Sequence, residues 1–111
     1  MHKHVIKIAL PGPATSDTEC QEHVLDMLGD EDGKEFFALS LEYISSGDIW
    51  FFNLNPVVED GITYMYVTRF FDSEEAKTNF VNAAQPYFDT LNAQVVANES
   101  VTFEEFADYA T

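Results

Sequence analysis

Apolar and polar residues alternate from Val5 to Leu10, with Ile6, Ile8 and Leu10 on one face and Val5, Lys7 and Ala9 on the other. The pattern predicts a first strand, ended at Pro11-Gly12-Pro13, where backbone donors are lost and a turn is favoured. Ser16 followed by Glu19 has the form of a capping box. Cys20, Val24, Met27 and Leu28 then recur at helical intervals before Gly29, which predicts a helix over Asp17–Leu28. Asp30 to Gly33 reads as a charged turn. Beyond it, Phe37, Leu39, Leu41 and Tyr43 alternate with Phe36, Ala38, Ser40 and Glu42, so a strand is expected from Glu35 to Ile44, although Leu, Glu and Ala also suit a helix.

Ile49 to Leu54 reads as a further strand, ended by Asn55-Pro56, and Glu59-Asp60-Gly61 is hairpin punctuation. The strand expected over Ile62–Phe71 carries apolar residues on both faces, with Thr63 and Arg69 interspersed, so both faces need cover. Asp72 and Glu75 supply a second capping box for a helix over Ser73–Leu91, whose apolar stripe runs through Ala76, Phe80, Ala84, Tyr87, Phe88 and Leu91 and across Pro86, where a kink or an end near Gln85 is expected. Ala93 to Ala97 is a short strand. Thr102 and Glu105 repeat the capping pattern ahead of a brief helical tail with Phe103, Phe106 and Ala107.

Two helices set among strands that are apolar on both faces suit one α+β domain over residues 1–111: a ferredoxin-like antiparallel sheet with both helices on one face and a short helical tail. The other face then needs a second layer, which a homodimer would provide. The run Tyr64-Met65-Tyr66-Val67-Thr68-Arg69-Phe70-Phe71, leading through Asp72-Ser73-Glu74-Glu75-Ala76 into a helix that ends Pro86-Tyr87-Phe88-Asp89-Thr90-Leu91, resembles the dimeric α+β barrel superfamily, which contains small antibiotic-biosynthesis-type monooxygenases. The resemblance covers about a quarter of the chain. It implies a homodimer with back-to-back sheets and a cavity between sheet and helices in each subunit.

Charge narrows the function classes. Twenty acidic residues stand against five basic ones, a formal net charge of -15, and Lys3, Lys7, Lys34, Arg69 and Lys77 are scattered singly, so direct nucleic-acid binding is disfavoured and a basic protein partner is the kind that such a field attracts. Ten Phe, five Tyr and one Trp within 46% hydrophobic content support a folded core. The amino terminus lacks the apolar run of a secretory signal and no stretch reaches transmembrane length. With the single Cys20 excluding an intrachain disulfide, a cytoplasmic protein without membrane association is expected.

Candidate chemistry is sparse. His2, His4 and His23 are too weakly patterned for a metal site, and Asp30, Asp32 and Gly33 lack the first and twelfth carboxylates of a calcium loop, so no metal is expected. Cys20 sits on the apolar stripe of the first helix, beside acidic residues that disfavour a thiolate. Arg69, the only arginine, has a fork suited to clamping a carboxylate, or else pairs with Glu42 on a neighbouring strand. Trp50, Tyr64 and Tyr66 are expected to line a pocket with it, or to pack in a core or dimer interface.

Asp17, Glu19, Glu22, Asp26, Asp30, Glu31, Asp32 and Glu35 form an acidic surface, either solvated or presented to a basic partner. Two functions follow. One is binding of a small apolar or aromatic ligand, extending to monooxygenase-like chemistry that needs no bound cofactor because the pocket positions and desolvates an electron-rich molecule. The other is an acidic interaction protein, including a DNA mimic that occupies a DNA-binding protein.

Overall fold

The computed structural model describes residues 1–111. Its elements are β1 (His2–Ala9), α1 (Asp17–Leu28), α2 (Asp30–Ser45), β2 (Ile49–Glu59), β3 (Ile62–Phe71), α3 (Glu74–Leu91), β4 (Gln94–Ser100) and α4 (Phe103–Ala110). All strand pairings are antiparallel, in the spatial order β2-β3-β1-β4. Pairing of His4 with Arg69 and of Ile8 with Met65 aligns His2, His4, Ile6 and Ile8 with Met65, Val67, Arg69 and Phe71 on the face that the larger helices cover. Lys3, Val5, Lys7, Tyr64, Tyr66, Thr68 and Phe70 alternate onto the opposite face.

Two helix starts, at Ser16 and Thr102, follow the capping boxes expected from the sequence, whereas the cap of α3 is Ser73 and not the expected Asp72. The side-chain oxygens of Ser16, Ser73 and Thr102 accept from the backbone N–H of Glu19, Ala76 and Glu105 at 3.2, 3.1 and 3.1 Å. The Glu19 carboxylate in turn accepts from the Thr15 hydroxyl at 2.8 Å, which lowers its pKa, chiefly through that bond. The hairpin between β2 and β3 turns at Asp60 and Gly61, both left-handed with φ of 51° and 79°, as a two-residue turn of twist-matched type requires.

The strand expected from Glu35 to Ile44 is instead part of α2, and the charged turn before it is that helix's first turn. Gly29 (φ 87°) reverses the chain, and the Gly33 N–H bonds the Gly29 carbonyl at 2.8 Å. Gly33, Phe36 and Ser40 are buried on one stripe. The segment therefore satisfies both periods, and helix propensity together with packing against α1 and α3 decides between them. Gly33 also permits close approach, since a Cβ there would lie 2.5 Å from the Leu25 side chain.

β2 runs past the expected stop at Asn55-Pro56 because it is an edge strand, where the donor that Pro56 lacks is not needed for a second partner. Likewise α3 continues through Pro86 to Leu91. Phe88 and Leu91 are buried beyond the proline, and that burial holds the last turns to the domain.

The ferredoxin-like arrangement with two helices on one face, closed into a dimeric α+β barrel, does not hold. The sheet is open, its edges β2 and β4 pair with nothing further, and there are four helices. α4 lies on the face opposite the others, with Phe106 and Tyr109 each 5.2 Å from the Phe70 ring, and Phe51 and Trp50 packed edge-on to Phe106. The homodimer expected from an uncovered second face loses its ground, because the chain's own tail covers part of that face. No helix is long and apolar enough to cross a membrane.

Candidate functional site

The helix-covered face of the sheet is not completely filled. A cavity of about 370 Å³ lies between the sheet and the α1–α2 pair. β1 contributes Ile6 and Ile8 to it, β2 Phe52 and Leu54, and β3 Met65, Val67 and Arg69. The opposing wall is Val24 and Gln21 from α1 and Phe36, Phe37, Ser40, Leu41 and Ile44 from α2. The lining is apolar except for Gln21, Ser40 and Arg69, the pattern of a ligand site in which few polar groups fix orientation.

Arg69 carries the only formal charge in that lining. The residue is 2% exposed, and its Nε and Nη1 are buried without an acceptor. Three aromatic rings surround its guanidinium carbon, with centroids at 4.7 Å for Phe80, 5.1 Å for Phe52 and 5.9 Å for Phe36. Glu42 lies exposed on α2 and does not pair with it; the molecule's ion pair is Lys7–Glu59, at 3.9 Å on the other face. Burial lowers the Arg69 pKa to about 9, so it remains cationic at neutral pH.

The surroundings of Arg69 are basic as well. His4, its cross-strand neighbour, is buried and stacked on Phe88 with centroids 6.4 Å apart. Its pKa falls to about 4, through burial first and then through Arg69, Lys77 and His2. His2 and Lys77 are buried too, and the His2 ring bonds the Asn98 side chain at 2.8 Å. In a chain of net charge -15, four basic side chains thus lie buried with no carboxylate paired to any of them.

His4 makes stability pH-dependent with a definite sign. Its folded pKa, about 4, lies below the ordinary 6.5, so as pH falls through that window the unfolded chain takes up the proton first and folding weakens. Wild type should lose roughly 2 kcal/mol relative to His4→Phe between about pH 7 and 4.5, read by urea unfolding of both chains. The carboxylates common to both cancel in this difference. A difference that does not change with pH would contradict a buried, neutral His4.

Of the residues singled out in the sequence, Arg69 alone lines this cavity. Trp50 is 48% exposed at the β2 edge. Tyr64 and Tyr66 are on the opposite face, where Lys7 sits 4.5 Å from the Tyr64 ring centroid and the Tyr66 hydroxyl donates to Glu59 at 2.6 Å, a bond that raises the Tyr66 pKa. Cys20 is buried, which raises its thiol pKa.

The acidic residues divide between α1 and the start of α2. Asp17 and Glu19 occupy the first turn of α1, and Asp30, Glu31 and Asp32 that of α2, where negative charge complements the helix dipole. Glu22 and Asp26 are exposed along α1, and Glu35 accepts from the Tyr87 hydroxyl at 3.1 Å. His23 bonds the Pro13 carbonyl at 3.0 Å, away from His4, and no three His, Cys, Asp or Glu side chains are grouped to hold a metal ion.

The α2 wall was not legible as such while its segment read as a strand. The spacing of Gly33, Phe36, Phe37, Ser40 and Ile44 is the signal that would have exposed it. Comparison of the chain with protein-family models, curated proteins and solved structures gives no match, so the reading of this site rests on its geometry.

Proposed function

We propose that the protein binds a small amphipathic anion, an apolar monocarboxylate, with its head group on Arg69 and its body in the cavity. The observation that carries this reading is the guanidinium itself: cationic, buried, without an acceptor, and placed in the wall of an apolar space. Burying an unpaired charge costs several kcal/mol, and contact with aromatic faces offsets only part of that cost. A carboxylate entering the cavity would give the guanidinium, where it meets that space, an acceptor of the kind its planar fork matches.

Selectivity follows from the field around the site. A net charge of -15 repels anions at a distance, so affinity must come from the contact with Arg69 and from burial of the ligand's apolar body. A small, strongly hydrated anion gains only the first of these.

The test is calorimetric titration of the chain with an aryl- or alkyl-carboxylate and with the primary amide of the same skeleton. The carboxylate should bind about ten- to hundredfold more tightly, the range of a charged hydrogen bond, and Arg69→Met should remove the preference. Equal affinity for acid and amide, or an unchanged preference in Arg69→Met, would overturn the reading.

A further inference from the structure

The cavity does not stop at its mouth. Ile44 and Phe52, which border it, also border a second depression of about 310 Å³ along the β2 edge, completed by Ile49, Trp50 and Phe51. Every residue of that second depression is apolar, and Ile44, Phe52 and Trp50 are exposed. Leu41, on the wall of the first cavity, is 61% exposed. Ile44 and Phe52 are thus a shared apolar wall between the cavity that Arg69 lines and the depression completed by Ile49, Trp50 and Phe51.

A compact aromatic acid would occupy only the cavity and leave the depression in water. A protein surface laid over the depression would leave Arg69 without an acceptor, since the guanidinium is buried. An occupant that satisfies both ends is narrow enough to enter, anionic at one end and apolar along its length.

On the reading of Arg69 as a carboxylate site, we infer that the ligand is a linear, fatty-acid-type monocarboxylic acid, with its carboxylate on Arg69 and its chain laid over Ile44 and Phe52 against Trp50. Leu41 flanks the chain as it leaves the cavity. Charge complementarity fixes the direction: the head group lies inside, and the terminal methyl lies on the β2 edge.

Saturated linear acids of about six to sixteen carbons, kept below their aggregation limits, would be titrated against the full chain; each methylene leaving water should raise affinity by about fourfold. Emission from Trp50, the chain's single tryptophan, reports arrival of the chain end. It is expected to shift only above a threshold length, with affinity still rising there and levelling off afterwards. Trp50 is half-exposed and outside the core, its ring edge-on to Phe106 of α4; Trp50→Ala should lose the added affinity of the long acids and keep that of the short ones, as read by calorimetry, the short acids serving as the control for any loosening of α4.

Affinity that levels off with short acids while Trp50 emission is silent overturns the linear-chain inference and leaves the carboxylate site standing. A Trp50→Ala variant that binds long acids as wild type does has the same consequence. If acids and their methyl esters bind equally at every length, both readings fall.

Discussion

Replacing Arg69 with methionine is expected to stabilise the fold by about 1 to 3 kcal/mol at neutral pH while removing the preference for carboxylates. The guanidinium is buried without an acceptor, and burial alone pushes its pKa down to about 9. That shift measures how far the folded state disfavours the charged form. Aromatic contacts with Phe80, Phe52 and Phe36 return part of the cost, and an unbranched thioether keeps most of the packing.

The sign can be checked with pH. Arg69 is a base with a depressed folded pKa, so the penalty is fully present below about pH 9 and fades as pH rises beyond it, where folding favours the neutral form. The advantage of Arg69→Met in urea unfolding should therefore be larger at about pH 7 than at about pH 10. A variant less stable than wild type by more than about 1 kcal/mol would show that the arginine holds the fold together and would remove the trade of stability for binding on which the proposal rests.

Phe80→Ala should destabilise the fold by about 3 to 5 kcal/mol, the cost of removing a fully buried aromatic side chain and leaving a cavity. Phe80 is 0% exposed and lies at a junction of elements. Tyr43 of α2 meets its ring edge-on at 5.2 Å, Phe71 of β3 lies at 5.6 Å, and Phe88 of its own helix at 6.4 Å. Truncation thus loosens α2 and α3 from the sheet together and withdraws the nearest ring from Arg69. Equilibrium denaturation decides the matter: a loss below about 1 kcal/mol would mean that neighbouring rings collapse into the space.

Features that act over a few residues were legible in the chain as written. The capping side chains of Ser16 and Thr102 bond a backbone N–H three residues on, as Ser73 does one residue beyond the expected Asp72, and Asp60-Gly61 tolerates the left-handed turn through its own backbone preferences, so these boundaries need no distant partner. The alternation in Ile62–Phe71 was equally local. The segment after Gly33 was not, because Phe36 to Ile44 fits a period of two and a period of 3.6, and only contact with α1 and α3 resolves the tie.

Pro56 and Pro86 misled for a related reason. A proline ends an element when its missing donor is needed, and that depends on whether the strand is an edge and whether burial beyond the proline holds the helix together. Packing of α4 on the outer face, the open sheet and the cavity have the same origin, since each sets residues remote in sequence against one another. Arg69 shows the division within one residue. Its uniqueness and guanidinium chemistry are sequence facts, whereas its missing acceptor exists because three aromatic rings and no carboxylate fold around it.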